Sequence, residues 1–169
     1  MTFDAADLHG GAALEAAIAR LRDAVQPRSE VGGWATVELD RTEASFGAAS
    51  GPSGSVAFPA TGAAPGAPGG ARDELRDELL GALARVIRTT DQRDVVLLEP
   101  FTEGRLAAAL ARHGEGFAVL YLIADAEALV RARAAGFVLS SVGLGPFGPQ
   151  RLVVEGPRWG PFLVLAGLD

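Results

Sequence analysis

The stretch that decides the fold begins at Asp94-Val-Val-Leu-Leu-Glu-Pro100 and runs on to Gly167. Its opening is an apolar run stopped by proline, the pattern of a buried strand with a hard end. Residues 102–112 are rich in Ala and Leu and predict a helix, which ends at His113-Gly-Glu-Gly116. Residues 117–124 predict a second buried strand, and 125–135 a helix closed by Gly136. Three more strands are predicted near 137–144, 151–155 and 161–166. The order is a lead-in strand, a crossover helix, and then one β-α-β-β-β unit.

Upstream, a fainter copy of that unit emerges. Residues 82–88, the linker Thr89-Thr-Asp-Gln-Arg93 and the strand at Asp94 have the layout of a hairpin. Residues 72–80 predict a charged helix with Leu75 and Leu79 on one side. Gly32-Gly33 opens a predicted strand over 34–40, followed by a short helix at 41–46. Residues 47–71 are dense in Gly, Pro, Ala and Ser and predict a loose insert, with Ser55-Val-Ala-Phe58 as an edge strand. Before all of this, Leu14, Ile18, Leu21 and Val25 stripe one face of a helix over 12–25, ended by Pro27. The expected fold is α+β: two βαβββ modules forming a curved mixed sheet around a cleft, plus an extra N-terminal helix. Within a single domain, the helix occupies 1–30, the first module 31–100, the crossover helix 101–116 and the second module 117–169.

The chain has 169 residues, 49% of them hydrophobic, enough for a sizeable core. A net charge of −6 opposes a nucleic-acid partner, because phosphate binding needs clustered Lys and Arg. With no cysteine, disulfides, a thiolate nucleophile and sulfur-ligated zinc are excluded. No secretory leader and no apolar run of membrane-spanning length is visible, so a cytoplasmic protein without a membrane partner is expected.

Three junctions resemble the vicinal oxygen chelate superfamily, which includes glyoxalases, bleomycin-resistance proteins and methylmalonyl-CoA epimerases. They are Leu97-Leu-Glu-Pro100 followed by a helix and Arg112-His-Gly-Glu-Gly116; the strand, Asp and helix of 117–136; and the hairpins from Gly145-Pro-Phe-Gly148 to Leu165. The resemblance implies a divalent metal held by four ligands, which would fall at Trp34, Val96, Val119 and Val164. A one-residue slip gives Gly33, Val95, Ala118 and Leu163. None of these side chains offers a lone pair to a hard cation, so neither a metal nor another cofactor is expected.

Strand alternation then sketches the cleft. Phe117, Val119 and Tyr121 share one face, as do Phe162 and Val164, Val96 and Leu98, and Trp34, Thr36 and Glu38. Trp159 belongs to a loop at the mouth. This mostly apolar cup suits a small hydrophobic or aromatic molecule, and a homodimer is possible. Two function classes stay open: a metal-independent small-molecule binder, and a metal-free enzyme of isomerase, lyase or cyclase type acting on a natural-product or acyl substrate. In the second, Glu38 and Tyr121 are the acid–base candidates. A structural remnant without a ligand is the third possibility. Gly143-Leu-Gly-Pro-Phe-Gly148 is rejected as a phosphate loop because a strand, not a helix N-terminus, follows it. His113 is expected to cap a helix C-terminus.

Overall fold

A computed structural model describes residues 11–46, 75–156 and 160–168. In chain order the elements are α1 (Gly11–Val25), β1 (Ser29–Ala35), α2 (Leu39–Ser45), β2 (Leu75–Asp77), β3 (Ala82–Arg88), β4 (Asp94–Pro100), α3 (Arg105–His113), β5 (Gly116–Ile123), α4 (Glu127–Ala134), β6 (Gly143–Gly145), β7 (Gly148–Leu152) and β8 (Phe162–Ala166). The insert at 47–71 and its expected strand at 55–58 lie outside the described residues.

All eight strands join one mixed sheet in the order β2-β3-β4-β1-β5-β8-β7-β6. Each half repeats one arrangement, with its first strand innermost and parallel to its last (β1 with β4, β5 with β8), and the halves meet where β1 and β5 run antiparallel. The sheet curves until its ends touch: the Glu78 amide donates to the Leu144 carbonyl at 2.9 Å, and the Leu144 amide donates to Glu78 Oε2 at 2.8 Å.

Alternation along the strands separates two apolar layers. The inner face gathers Val31, Ala35, Ala82, Ala84, Val96, Leu98, Val119, Tyr121, Phe162 and Val164, over which α3 lays Leu106 and Ala109. On the outer face, the predicted α1 stripe of Leu14, Ile18, Leu21 and Val25 packs with α4 against Leu120, Leu122, Leu163 and Leu165. A smaller outer cluster joins Leu39 of α2 to Ile87, Val95 and Leu97, with Trp34, Phe46 and Leu83 against it.

Several expectations need correction. Residues 72–80 are not a helix where described: Leu75–Asp77 pairs with β3, and a turn through Gly81 (φ +63°) leads back. The Leu75/Leu79 spacing fits a helix, but pairing with the neighbouring strand overrides that local preference. The strand expected at 34–40 lies earlier, at Ser29–Ala35, because Thr36 turns the chain toward α2. The strand expected at 137–144 shrinks to a single bridge, Leu139 to Val153, and the three residues of β6. The one expected at 151–155 begins at Gly148 (φ +89°), whose tight turn with Gly145 sets the hairpin earlier.

Leu21 is fully buried between α1 and the outer face. Leu21→Ala is expected to lower unfolding free energy by about 2–5 kcal/mol, measured by urea titration. A loss under 1 kcal/mol would show that α1 is only loosely docked.

Candidate functional site

At the centre of the inner face, β1, β4, β5 and β8 present Gly33, Val96, Val119 and Val164. The three valines are fully buried. Gly33 is where neighbouring side chains crowd in: a Cβ there would lie 2.8 Å from Val119 Cβ, 3.1 Å from Leu98 Cδ1 and 3.1 Å from Tyr121 Cε2. These are the positions at which the resemblance implies metal ligands, with the first shifted by one residue. Hydrocarbon and a bare backbone do not fit a divalent cation. Among the described residues, no group of three or more His, Cys, Asp or Glu is placed to hold a metal.

The polar chemistry of the inner face lies closer to the seam where β2 meets β6. Asp77, the last residue of β2, accepts from Gln150 Nε2 at 2.8 Å, from the Tyr121 hydroxyl at 2.8 Å and from the Leu80 amide at 3.0 Å. All three side chains are fully buried. Burial pushes the Asp77 carboxyl above its ordinary range, opposed by the hydrogen bonds from Gln150, Tyr121 and the Leu80 and Leu79 amides. Burial, and then the neighbouring Asp77, hold the Tyr121 phenol well above its usual value, so it remains a donor. Its ring packs edge-on to Phe147, centroids 5.4 Å apart.

Glycines of the segment rejected as a phosphate loop make room for this group. A Cβ at Gly145 would collide with the Gln150 amide, and one at Gly143 would lie 2.8 Å from Leu79 Cδ2. The second half thus offers two sockets to side chains at the seam, which explains glycine in a strand too short to need it otherwise.

Of the residues proposed from sequence, Val96, Leu98, Val119, Tyr121, Phe162 and Val164 come together on the inner face. Trp34 and Phe117 do not. Register slips between Gly33 and Trp34, so that Gly33 faces Val119 while Trp34 faces Phe117, and Ala118 is the extra residue. This bulge breaks the alternation. Ala118 joins the inner cluster, Phe117 packs on the outer face, and Trp34 stands edge-on to Phe46 in the outer cluster. Thr36 is buried beyond the end of β1, bonded to Thr42 and to Glu115 at 2.7 Å each, outside the hollow. Glu115 is held below the usual carboxylate range by the Val37 amide, Thr36 and Arg41. Glu38 precedes α2 with its side chain 63% exposed, so it is not an inward base. Trp159 lies outside the described residues.

Sequence reasoning missed Asp77 and Gln150. The available clue was Tyr121 itself, a sole tyrosine in an apolar strand whose hydroxyl needs a partner. Alternation back from Leu152 points to Gln150, whereas the helical reading of 72–80 hid Asp77.

Two βαβββ units joined in one curved sheet are the architecture of the vicinal oxygen chelate fold. Solved structures bear this out. A Streptomyces coelicolor methylmalonyl-CoA epimerase, in a serine-to-threonine variant bound to 2-nitronate-propionyl-CoA, is similar with TM-score 0.55 and 18% identity, over 82% of this chain and 92% of that one. A glutamate-to-glutamine variant of that epimerase gives TM-score 0.53 and 17% identity over 79% and 91%. A hypothetical protein from Bacillus halodurans gives TM-score 0.53 and 13% identity over 82% and 94%. No protein-family profile and no curated protein sequence matches the chain.

Tyr121→Phe removes one donor to a buried carboxyl and is expected to cost about 1–3 kcal/mol of stability, read from chemical denaturation. The pH dependence has a definite sign. Asp77 holds its proton more tightly folded than unfolded. Its stabilising contribution is therefore complete below the ordinary carboxylate range and is lost as pH rises through its raised folded value. In Asp77→Asn that decline in melting temperature should vanish; an identical profile in both proteins would remove Asp77 as its source.

Proposed function

We propose that this protein binds a small, mainly apolar molecule on the inner face of its curved sheet, without a metal, and reads one polar end of it through Asp77, Tyr121 and Gln150. The observation that carries this reading is the buried polar trio. A carboxylate, a phenol and an amide are costly contents for a core that hydrocarbon could have filled, and they converge where the two halves meet. The donor-free positions at Gly33, Val96, Val119 and Val164 support a metal-independent mode. The epimerase with this fold was solved with an organic ligand, which supports a small molecule as the partner here.

The inner residues are closed off from solvent, so entry requires the sheet to part. The contact of β2 with β6 is the natural place, since among the described residues both strands are three residues long and Glu78, just after β2, makes two hydrogen bonds to Leu144. A homodimer is compatible with this reading but not needed for it, because one chain supplies both halves of the hollow. No described helix is long and apolar enough to cross a membrane.

A second reading has its own support. A buried carboxyl of raised pKa beside a phenol is a candidate acid–base pair, and in a metal-free enzyme Asp77 would take the role first given to Glu38, with Tyr121 as its partner.

The test is a thermal-shift screen of aromatic and alicyclic compounds. A true ligand at 100 times its Kd should add roughly 2.7 kcal/mol of stability, and Asp77→Asn or Tyr121→Phe should weaken it. A binder keeps measurable affinity in Asp77→Asn, whereas a general base would lose roughly 10²–10⁴-fold in turnover. A screen without any stabilising compound, or hits indifferent to both substitutions, would overturn the proposal.

A further inference from the structure

Within the binding reading just given, the trio has an unbalanced composition. Asp77 is a fully buried acid, and every partner it has is neutral: Gln150 from β7, Tyr121 from β5, and the Leu79 and Leu80 amides of the β2–β3 turn. The Arg residues next in sequence are turned elsewhere. The Arg76 guanidinium stacks over Phe101 at 5.4 Å, and Arg151 donates to the Ser140 carbonyl at 2.6 Å. Among the described residues, no cation touches the carboxyl. Beside it, the carbonyl end of the Gln150 amide, Oε1, is buried without any hydrogen-bond partner. Two acceptors thus stand together, one able to carry full negative charge, and neither has a positive complement. A buried carboxylate left unpaired is destabilising, and a partner that brings positive charge and several N–H groups relieves that cost.

The surrounding rings favour the same complement. Tyr121 and Phe147 meet edge to face beside the carboxyl, and Phe162 belongs to the same cluster. Aromatic faces attract cations most strongly where water is excluded.

We infer that the ligand of this hollow is an organic cation: a primary ammonium or amidinium on an apolar body, its N–H groups directed at Asp77 and Gln150 Oε1 and its hydrocarbon against the inner face. The ligand enters where Glu78 meets Leu144, since Asp77 is the residue immediately before that contact. The Gln150 amide gives up its bond to Asp77 and turns its carbonyl to the incoming N–H. No covalent step is involved.

The probes are benzylamine, benzyl alcohol and benzoate, nearly equal in shape and different in head-group charge, compared by calorimetric titration and thermal shift on the full chain at neutral pH. Benzylamine is expected to bind roughly tenfold or more tightly than the alcohol, with benzoate weakest. In Asp77→Asn the amine should lose its advantage and bind no more tightly than the alcohol. If that variant does not fold, the order of the three probes on the unaltered protein decides alone. Equal affinities, or an alcohol or benzoate tighter than the amine, would overturn the head-group assignment. The compound screen separates the two proposals: neutral stabilisers with no amine preference sink only this inference, whereas no stabiliser of any kind, these probes included, sinks the binding reading with it.

Discussion

The close approach of β1 to β5 organises the molecule. Those two strands join the halves of the sheet, and the contact is tight only because Gly33 carries no side chain opposite Val119. Leu98 and Tyr121 close over the same spot, so one missing Cβ lets side chains of β4 and β5 pack over β1 at the middle of the inner face. An added methyl there meets side-chain atoms of three fully buried neighbours, Val119, Leu98 and Tyr121, and overpacking of that kind is poorly tolerated. The placement of Tyr121, and through it of Asp77, follows from this approach.

Much of the fold could be read from residue order. The strands 82–88 and 94–100 lie where the sequence puts them, since an apolar run, a polar turn and a second apolar run carry strong local information. The α1 stripe was equally legible because burial of one helix face leaves a period that no other structure produces. Half of the candidate site was visible for the same reason: Val96, Val119, Tyr121 and Val164 alternate cleanly in strands covered on both faces.

The rest was hidden by features that leave no periodic trace. A single extra residue at Ala118 reverses the facing of Phe117, and nothing in the composition of 117–124 announces it. Glu38 faces inward only if β1 continues past Ala35, whereas a hydroxyl at Thr36 and a carboxylate at Glu115, distant in sequence, turn the chain there. Asp77 sits in a three-residue strand whose identity depends on its neighbour in the sheet rather than on its own propensity. Long-range pairing decides each of these cases, and a single sequence does not display it.

Bringing β2 against β6 has a consequence beyond any ligand. An open sheet of this size would offer two unpaired borders, each able to recruit a strand from another molecule and begin a fibril. Among the described residues each border is three residues long and meets the other. The protein thereby acts as its own edge guard, each short border shielding the other from a strand of another molecule.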